Sequence, residues 1–388
     1  MVKAYEDWER LVVATLKREQ FRQMCRSDSV TSSISSEFTP SLNSLHFSKL
    51  GTSFTYQQIS RATGNFNVKN LIKRGESGDF FKGTFDDSLA FSMRNRIRGR
   101  RSMPMAIKRI DLRLVNPEAY LLELSLFSKI SHVRFVPLLG YCLENENEKF
   151  LVYKFMSNRD LSSSLFNKFY KESDKDLPSL DWITRMKIAI GAAEGLAYLH
   201  DEYAPPLLHR DLQASSILLD DHFEVRIGSL SQVVATEMET HTRENEFTRI
   251  YEEDTSGIPS ATCAYDVYCF GKILLVLVTG ELRISGCSNS STEKWLETTL
   301  TYISRSDKDL VKNIVDPSLV VDEDLLEEVW VMAIVAKICL DPQPRKLPDM
   351  KYILKALENP LEVIREEYIS SNSTTSSAEL WTASLFGS

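Results

Sequence analysis

Asp211 is the side chain with the clearest chemical use in this sequence. It stands in Leu208-His209-Arg210-Asp211-Leu212-Gln213-Ala214-Ser215-Ser216-Ile217-Leu218-Leu219. A carboxylate there can act as a general base toward a hydroxyl nucleophile. Downstream, Arg226-Ile227-Gly228-Ser229-Leu230-Ser231 offers neutral hydroxyls. Upstream, Lys108 closes the run Met105-Ala106-Ile107-Lys108, where composition alone gives a solvated strand lysine. Gly75 and Gly78 lie in Lys73-Arg74-Gly75-Glu76-Ser77-Gly78-Asp79-Phe80. They would let bare backbone approach a phosphate, although a glycine-rich hairpin turn explains them equally well in isolation.

The order of these pieces resembles the protein kinase family, in particular the cytoplasmic kinase domain of plant leucine-rich-repeat receptor-like kinases. The resemblance covers about residues 54–360. It begins at Phe54-Thr55-Tyr56-Gln57-Gln58-Ile59-Ser60-Arg61-Ala62-Thr63-Gly64-Asn65-Phe66, which is similar to the segment leading into those domains. It implies an α+β, two-lobed protein kinase fold, with a small β-rich N-lobe over 54–156 and a larger helical C-lobe over 157–365. It also implies roles. Asp211 takes the base position, Lys108 holds nucleotide phosphates, and Glu123 pairs with Lys108. Gly75, Gly78, Phe80, Ala106 and Leu218 surround the nucleotide. Phe150-Leu151-Val152-Tyr153-Lys154-Phe155-Met156 is the hinge, with Tyr153 as gatekeeper and adenine bonded to backbone near Lys154 to Met156. His209, Arg210 and Asp266 hold the fold around the catalytic loop. His209, Leu230 and Phe127 supply a hydrophobic column.

The departures from the family pattern all weaken phosphotransfer. Ser216 stands where the family has a magnesium-binding Asn, and Ser229 where it has a magnesium-binding Asp. Mg²⁺ prefers hard, charged oxygen ligands, and two neutral hydroxyls are poor substitutes. The nearest carboxylates, Asp220, Asp221 and Glu224, fall in a turn between strands, away from the phosphates. Gln213 replaces a lysine that touches the transferring phosphate. Lys73 replaces the first glycine, and Phe80 replaces a valine that roofs the adenine. Losing one preorganised electrostatic contact costs on the order of 10²–10³ in rate, and three such groups change together here, although such effects do not multiply. The activation segment around Asp254-Thr255-Ser256-Gly257-Ile258-Pro259-Ser260 lacks a Pro-Glu pair. Leu347 stands where its arginine partner would be, with Arg345 two residues away. Replacing both members of a buried pair can be neutral for stability.

The elements that position these groups follow from periodicity. β-type runs occur at 79–84, 104–110 and 149–155, with a helix at 117–130. Helices follow from 180 to 200 and at 266–279, 322–340 and 347–358. Residues 4–24 read as an amphipathic helix. Residues 26–50 and the tail after 369 are rich in Ser and Thr, and read as solvated linkers that could also be phosphorylated. The organisation expected is a juxtamembrane-like leader over 1–53, the two lobes, and a disordered tail over 366–388.

The 388 residues are 43% hydrophobic and 26% charged, as in a soluble globular protein. The net charge of −8 argues against nucleic acid as a partner. Six cysteines, at 25, 142, 263, 269, 287 and 339, show no Cys-x-x-Cys spacing and read as thiols in a reducing compartment. No run approaches the roughly 20 apolar residues that span a bilayer. The chain is therefore expected in the cytoplasm, or on the cytoplasmic side of the plasma membrane as part of a receptor whose anchor lies upstream. Arg94, Arg96, Arg98, Arg100 and Arg101 form a basic cluster, read as a solvated loop or as a contact with anionic lipid. The expected function is that of a pseudokinase: an intracellular signalling domain that binds other receptor kinases or signalling proteins and switches conformation. It would hold ATP weakly and depend little on Mg²⁺. The alternatives are an active Ser/Thr kinase with atypical metal handling, and a switch that binds ATP without turnover.

Overall fold

The computed structural model describes residues 49–75, 77–85, 104–114, 119–166, 180–235, 262–284 and 290–359. The expected leader helix, most of the Ser/Thr-rich linker, the arginine cluster, residues 254–260, the tail, Cys25 and Cys287 lie outside them. The chain divides into two compact units. One takes its described residues from 35–180 and 194–246, the other from 181–193 and 247–388. The fold class is the α+β one expected, with one unit built on a β-sheet and the other helical.

The first unit is built on a six-stranded sheet. Its strands are β1 (Thr52–Ser53), β2 (Leu71–Lys73), β3 (Asp79–Thr84), β4 (Pro104–Asp111), β5 (Leu138–Cys142) and β6 (Glu148–Lys154), in the order β1-β5-β6-β4-β3-β2. All neighbours are antiparallel except β1 and β5. Strand alternation explains its two faces. On β6, Leu151 and Tyr153 join a buried cluster with Tyr120 and Leu124 of helix α2 (Ala119–Lys129). Phe150 and Val152 join a second with Phe54 and Ile59. Ile59 lies on helix α1 (Tyr56–Ala62), whose first turn is closed by a capping box between Thr55 and Gln58.

Helix α3 (Leu161–Phe166) follows β6, and Asp160 accepts hydrogen bonds from Ser162 and from both the amide and the hydroxyl of Ser163. The unit continues through short strands: β7 (Leu207–Leu208), β8 (Ile217–Leu219), β9 (Val225–Ile227) and β10 (Val234–Ala235). β8 and β9 form a hairpin, and Val136 donates to the Ile227 carbonyl at 3.0 Å.

The second unit is helical. Helix α4 (Trp182–Ala197) contributes its residues up to Ala193. Helices α5 (Cys263–Thr279), α6 (Ser290–Thr301), α7 (Glu323–Cys339) and α8 (Met350–Glu358) follow. Every residue of α5 from Asp266 to Val278 is buried, as an all-round apolar helix must be. It ends at Gly280, whose φ of 71° requires glycine, and the Asp316 carboxylate fills the space a Cβ would take. Arg185 of α4 is fully buried. It pairs with Asp316 and donates to the Leu277 carbonyl at 2.7 Å. The expected strands and helices are present with ends shifted by a few residues. Helices α1, α3 and α6 and strand β5 were not expected. No helix among the described residues is long and apolar enough to cross a membrane.

Candidate active site

All the candidate site residues except Asp266 fall within the first unit. Lys108 stands on β4 and Glu123 on α2. Their Nζ and Oε2 atoms lie 2.7 Å apart, with both side chains buried. Tyr153 completes the group, its hydroxyl donating to Glu123 Oε1 at 2.6 Å. Burial, and then the adjacent Glu123 carboxylate, hold the Tyr153 phenol well above its ordinary pKa. This third member was not found in the sequence, because it depends on β6 lying beside β4 with Ala106 opposite Tyr153.

The glycine turn is explained by its own geometry. Gly78 donates to the Gly75 carbonyl at 3.1 Å and has φ of 137°. A Cβ on Gly78 would lie 2.5 Å from the Arg109 carbonyl oxygen, so the close approach to β4 demands glycine without any ligand. Phe80 pairs with Lys108 across β3 and β4, so the two side chains share one face of the sheet. The ammonium lies 5.9 Å from the Phe80 ring centroid, and the Tyr153 ring lies 6.3 Å from it.

Ala106, Leu218 and Phe80 pack against the buried cluster that contains Tyr153 and Met156. At the hinge, the Lys154 amide donates to Pro137 and the Met156 carbonyl accepts from Arg159. These two backbone groups are committed within the protein.

The catalytic loop holds itself together. The buried ring of His209 bonds through Nε2 to the Gly228 carbonyl at 2.9 Å, and its Nδ1 accepts from the Asp211 amide. Asp211 is half-buried and accepts from the Gln213 side-chain amide at 2.8 Å. Arg210 takes a positive φ of 66°. Ser216 is buried. Its hydroxyl donates to the Gln213 carbonyl at 2.8 Å and accepts from the Gln213 amide at 2.9 Å. The short side chain thus closes the turn that carries it.

Ser229 has φ of 58° and ψ of 40°, and begins the turn Leu230–Gln232, against which α2 packs. Leu230 is buried there. Two neighbouring carboxylates, Asp220 and Glu224, are engaged elsewhere, and Asp221 is exposed. Asp220 accepts from the amides of His222 and Glu224 and from Arg226, and Glu224 pairs with Arg134. Among the described residues, no group of three or more His, Cys, Asp or Glu side chains gathers to hold a metal ion. Asp266 and Leu347 are both buried in the second unit.

Residues 66–315 match the family model described as protein tyrosine and serine/threonine kinase. A probable LRR receptor-like serine/threonine-protein kinase of Arabidopsis thaliana is 53% identical over 349 residues, covering 88% of this chain and 36% of that protein. A putative proline-rich receptor-like protein kinase of the same plant is 32% identical, covering 80% of this chain and 41% of that protein. An EPD1-interacting receptor-like cytoplasmic serine/threonine-protein kinase of Nicotiana benthamiana is 31% identical over 79% of this chain and 63% of its own length. The chain therefore spans less than half the length of the first two relatives.

Proposed function

Because the chain belongs to the protein tyrosine and serine/threonine kinase family, we propose that it is the kinase-fold signalling domain of a plant receptor-like kinase, impaired in phosphotransfer. It acts through partner binding and conformational switching. The family uses ATP with Mg²⁺, and its transition state needs the metal to bridge and neutralise the phosphates. The observation that carries the proposal is Ser216. Its hydroxyl is tied into its own loop by Gln213, and Ser229 supplies the second position with another neutral hydroxyl. Mg²⁺ is poorly matched by this pair, and two of the carboxylates nearest in sequence, Asp220 and Glu224, are held by amides and arginines. In this reading Asp211 is chiefly a loop-holding carboxylate.

The proposal extends to organisation and partners. Residues 1–53 lead in from a membrane anchor, and 366–388 form a tail. The partners are other receptor kinases or signalling proteins on the cytoplasmic side of the plasma membrane, with Arg94 to Arg101 as a contact for anionic lipid. Calorimetric titration of ATP in Mg²⁺ and in EDTA tests the metal argument. Equal binding, or none, is expected in both buffers, and ATP binding that requires Mg²⁺ would contradict it.

One observation favours an active enzyme instead. Lys108 and Glu123 make the ion pair that kinase activity requires. That reading predicts ATP-dependent labelling of Ser or Thr residues, lost in Lys108→Ala.

A further inference from the structure

Phe80 and Lys108 are cross-strand partners, and the pleat turns both toward the face that carries Ala106 and Tyr153. Resting on the kinase-fold reading above, we propose that the Phe80 ring is a built-in occupant of the slot where that fold seats a nucleotide base.

Three boundaries locate the ring. On one side is the glycine turn, where a Cβ on Gly75 would lie 4.0 Å from Phe80 Cε2. On a second is the Lys108 ammonium, 5.9 Å from the ring centroid. On a third is the Tyr153 ring at 6.3 Å. Ala106 and Leu218, the residues expected above and below a base, pack with Phe80 against one apolar cluster, which includes Met156 of the hinge.

The ring supplies what a nucleotide would otherwise bring. Its faces give the apolar contact of a purine, and its π-system lies within cation–π range of the Lys108 charge. Lys108 is 2% exposed and already neutralised by Glu123. An incoming nucleotide would have to displace the ring before its base could be seated. The arrangement of Lys108, Glu123 and Tyr153 is therefore held by the chain itself, with no dependence on nucleotide. A partner would meet the same face whatever the ATP level.

The test is calorimetric titration of ADP, in EDTA, into the wild-type protein, Phe80→Val and Phe80→Leu. Circular dichroism and the thermal midpoint of each confirm folding. Removing ring atoms opens space, so the variants should melt lower, and ADP should restore part of the loss. The expected result is ADP binding about tenfold or more tighter in the folded variants than in the wild type. Wild-type binding as tight as either variant, or a folded variant with no gain, would overturn the proposal.

If neither variant folds, acylation of native wild-type Lys108 by an amine-reactive ester, read by mass spectrometry, decides. Slow modification relative to exposed Lys73 supports the proposal, and comparable rates overturn it. The outcomes also separate this proposal from the functional reading. ADP binding by the wild type as tight as by the folded variants, without phosphotransfer, removes the occupant and leaves the impaired kinase standing.

Discussion

The Lys108 ammonium lies 2.7 Å from Glu123 Oε2, and both side chains are withdrawn from solvent. The second carboxylate oxygen is taken by Tyr153 at 2.6 Å. A buried charge pair depends on its remaining hydrogen-bonding capacity being met, and Tyr153 meets that of the carboxylate's second oxygen. The pair that serves catalysis in active kinases thus also has a structural role here.

Breaking this pair from one side should be expensive. Lys108→Met leaves Glu123 buried without its counter-charge and is expected to lower unfolding free energy by about 3–5 kcal/mol. The double variant Lys108→Met/Glu123→Leu removes both charges and should lose less than Lys108→Met alone. Urea denaturation of the wild type, Lys108→Met, Glu123→Leu and the double variant measures the coupling. Simple additivity of the two losses would show that the pair is not a unit.

Tyr153→Phe removes a hydrogen bond to a charged acceptor and should cost about 1.5–3 kcal/mol at neutral pH. Its pH dependence has a fixed sign. The folded phenol has a raised pKa, so its contribution is complete below about pH 10, the unfolded value, and fades as pH rises toward the folded value. Stability measured from pH 8 to 11 should therefore fall in the wild type, with that Tyr153 component missing in Tyr153→Phe. Parallel profiles would refute the assignment.

Asp316 governs the acid side. Burial works to raise its carboxyl, but hydrogen bonds from Ser318 and Arg185 overcome this and set it at about 2. Because this is below the unfolded value, the contribution is present above about pH 4 and is lost as pH falls toward 2. Asp316→Asn strands the buried Arg185, so it should cost several kcal/mol at pH 7, while its loss between pH 4 and 2 should be shallower. Thermal midpoints across that range give the comparison, and an unchanged acid slope would contradict the prediction.

The serine positions can be tested by restoring their charge. Ser229 sits at φ of 58°, a conformation that Asp and Asn tolerate better than most residues. Ser216→Asn/Ser229→Asp should therefore fold. In a Phe80→Val background it should bind ATP about tenfold or more tighter with Mg²⁺ than in EDTA. Equal titrations in the two buffers would show that more than these ligands separates the chain from metal binding.

The sequence made the sheet and the long helices legible because their apolar patterning is strong. β6 is a continuous apolar run buried from Phe150 to Tyr153, β4 buries Met105, Ile107 and Ile110, and α5 buries every residue from Asp266 to Val278. Short elements gave little signal. α1 is seven residues long and α3 six, and each is fixed by capping and by packing against distant strands. At the site, the Lys108–Glu123 pair was readable from motif order. The closure of Ser216 onto Gln213 and of Tyr153 onto Glu123 was not. One depends on the fit of a shortened side chain into its own turn, and the other on β6 meeting helix α2 across 30 residues.

The central claim is that this kinase fold transfers phosphate poorly or not at all. Its most direct test is radiolabel transfer from MgATP to the protein itself and to a generic basic substrate, comparing wild type with Asp211→Asn. The account predicts the same background labelling for both, with no response to added Mg²⁺. Mg²⁺-dependent labelling by the wild type that disappears in Asp211→Asn would contradict it.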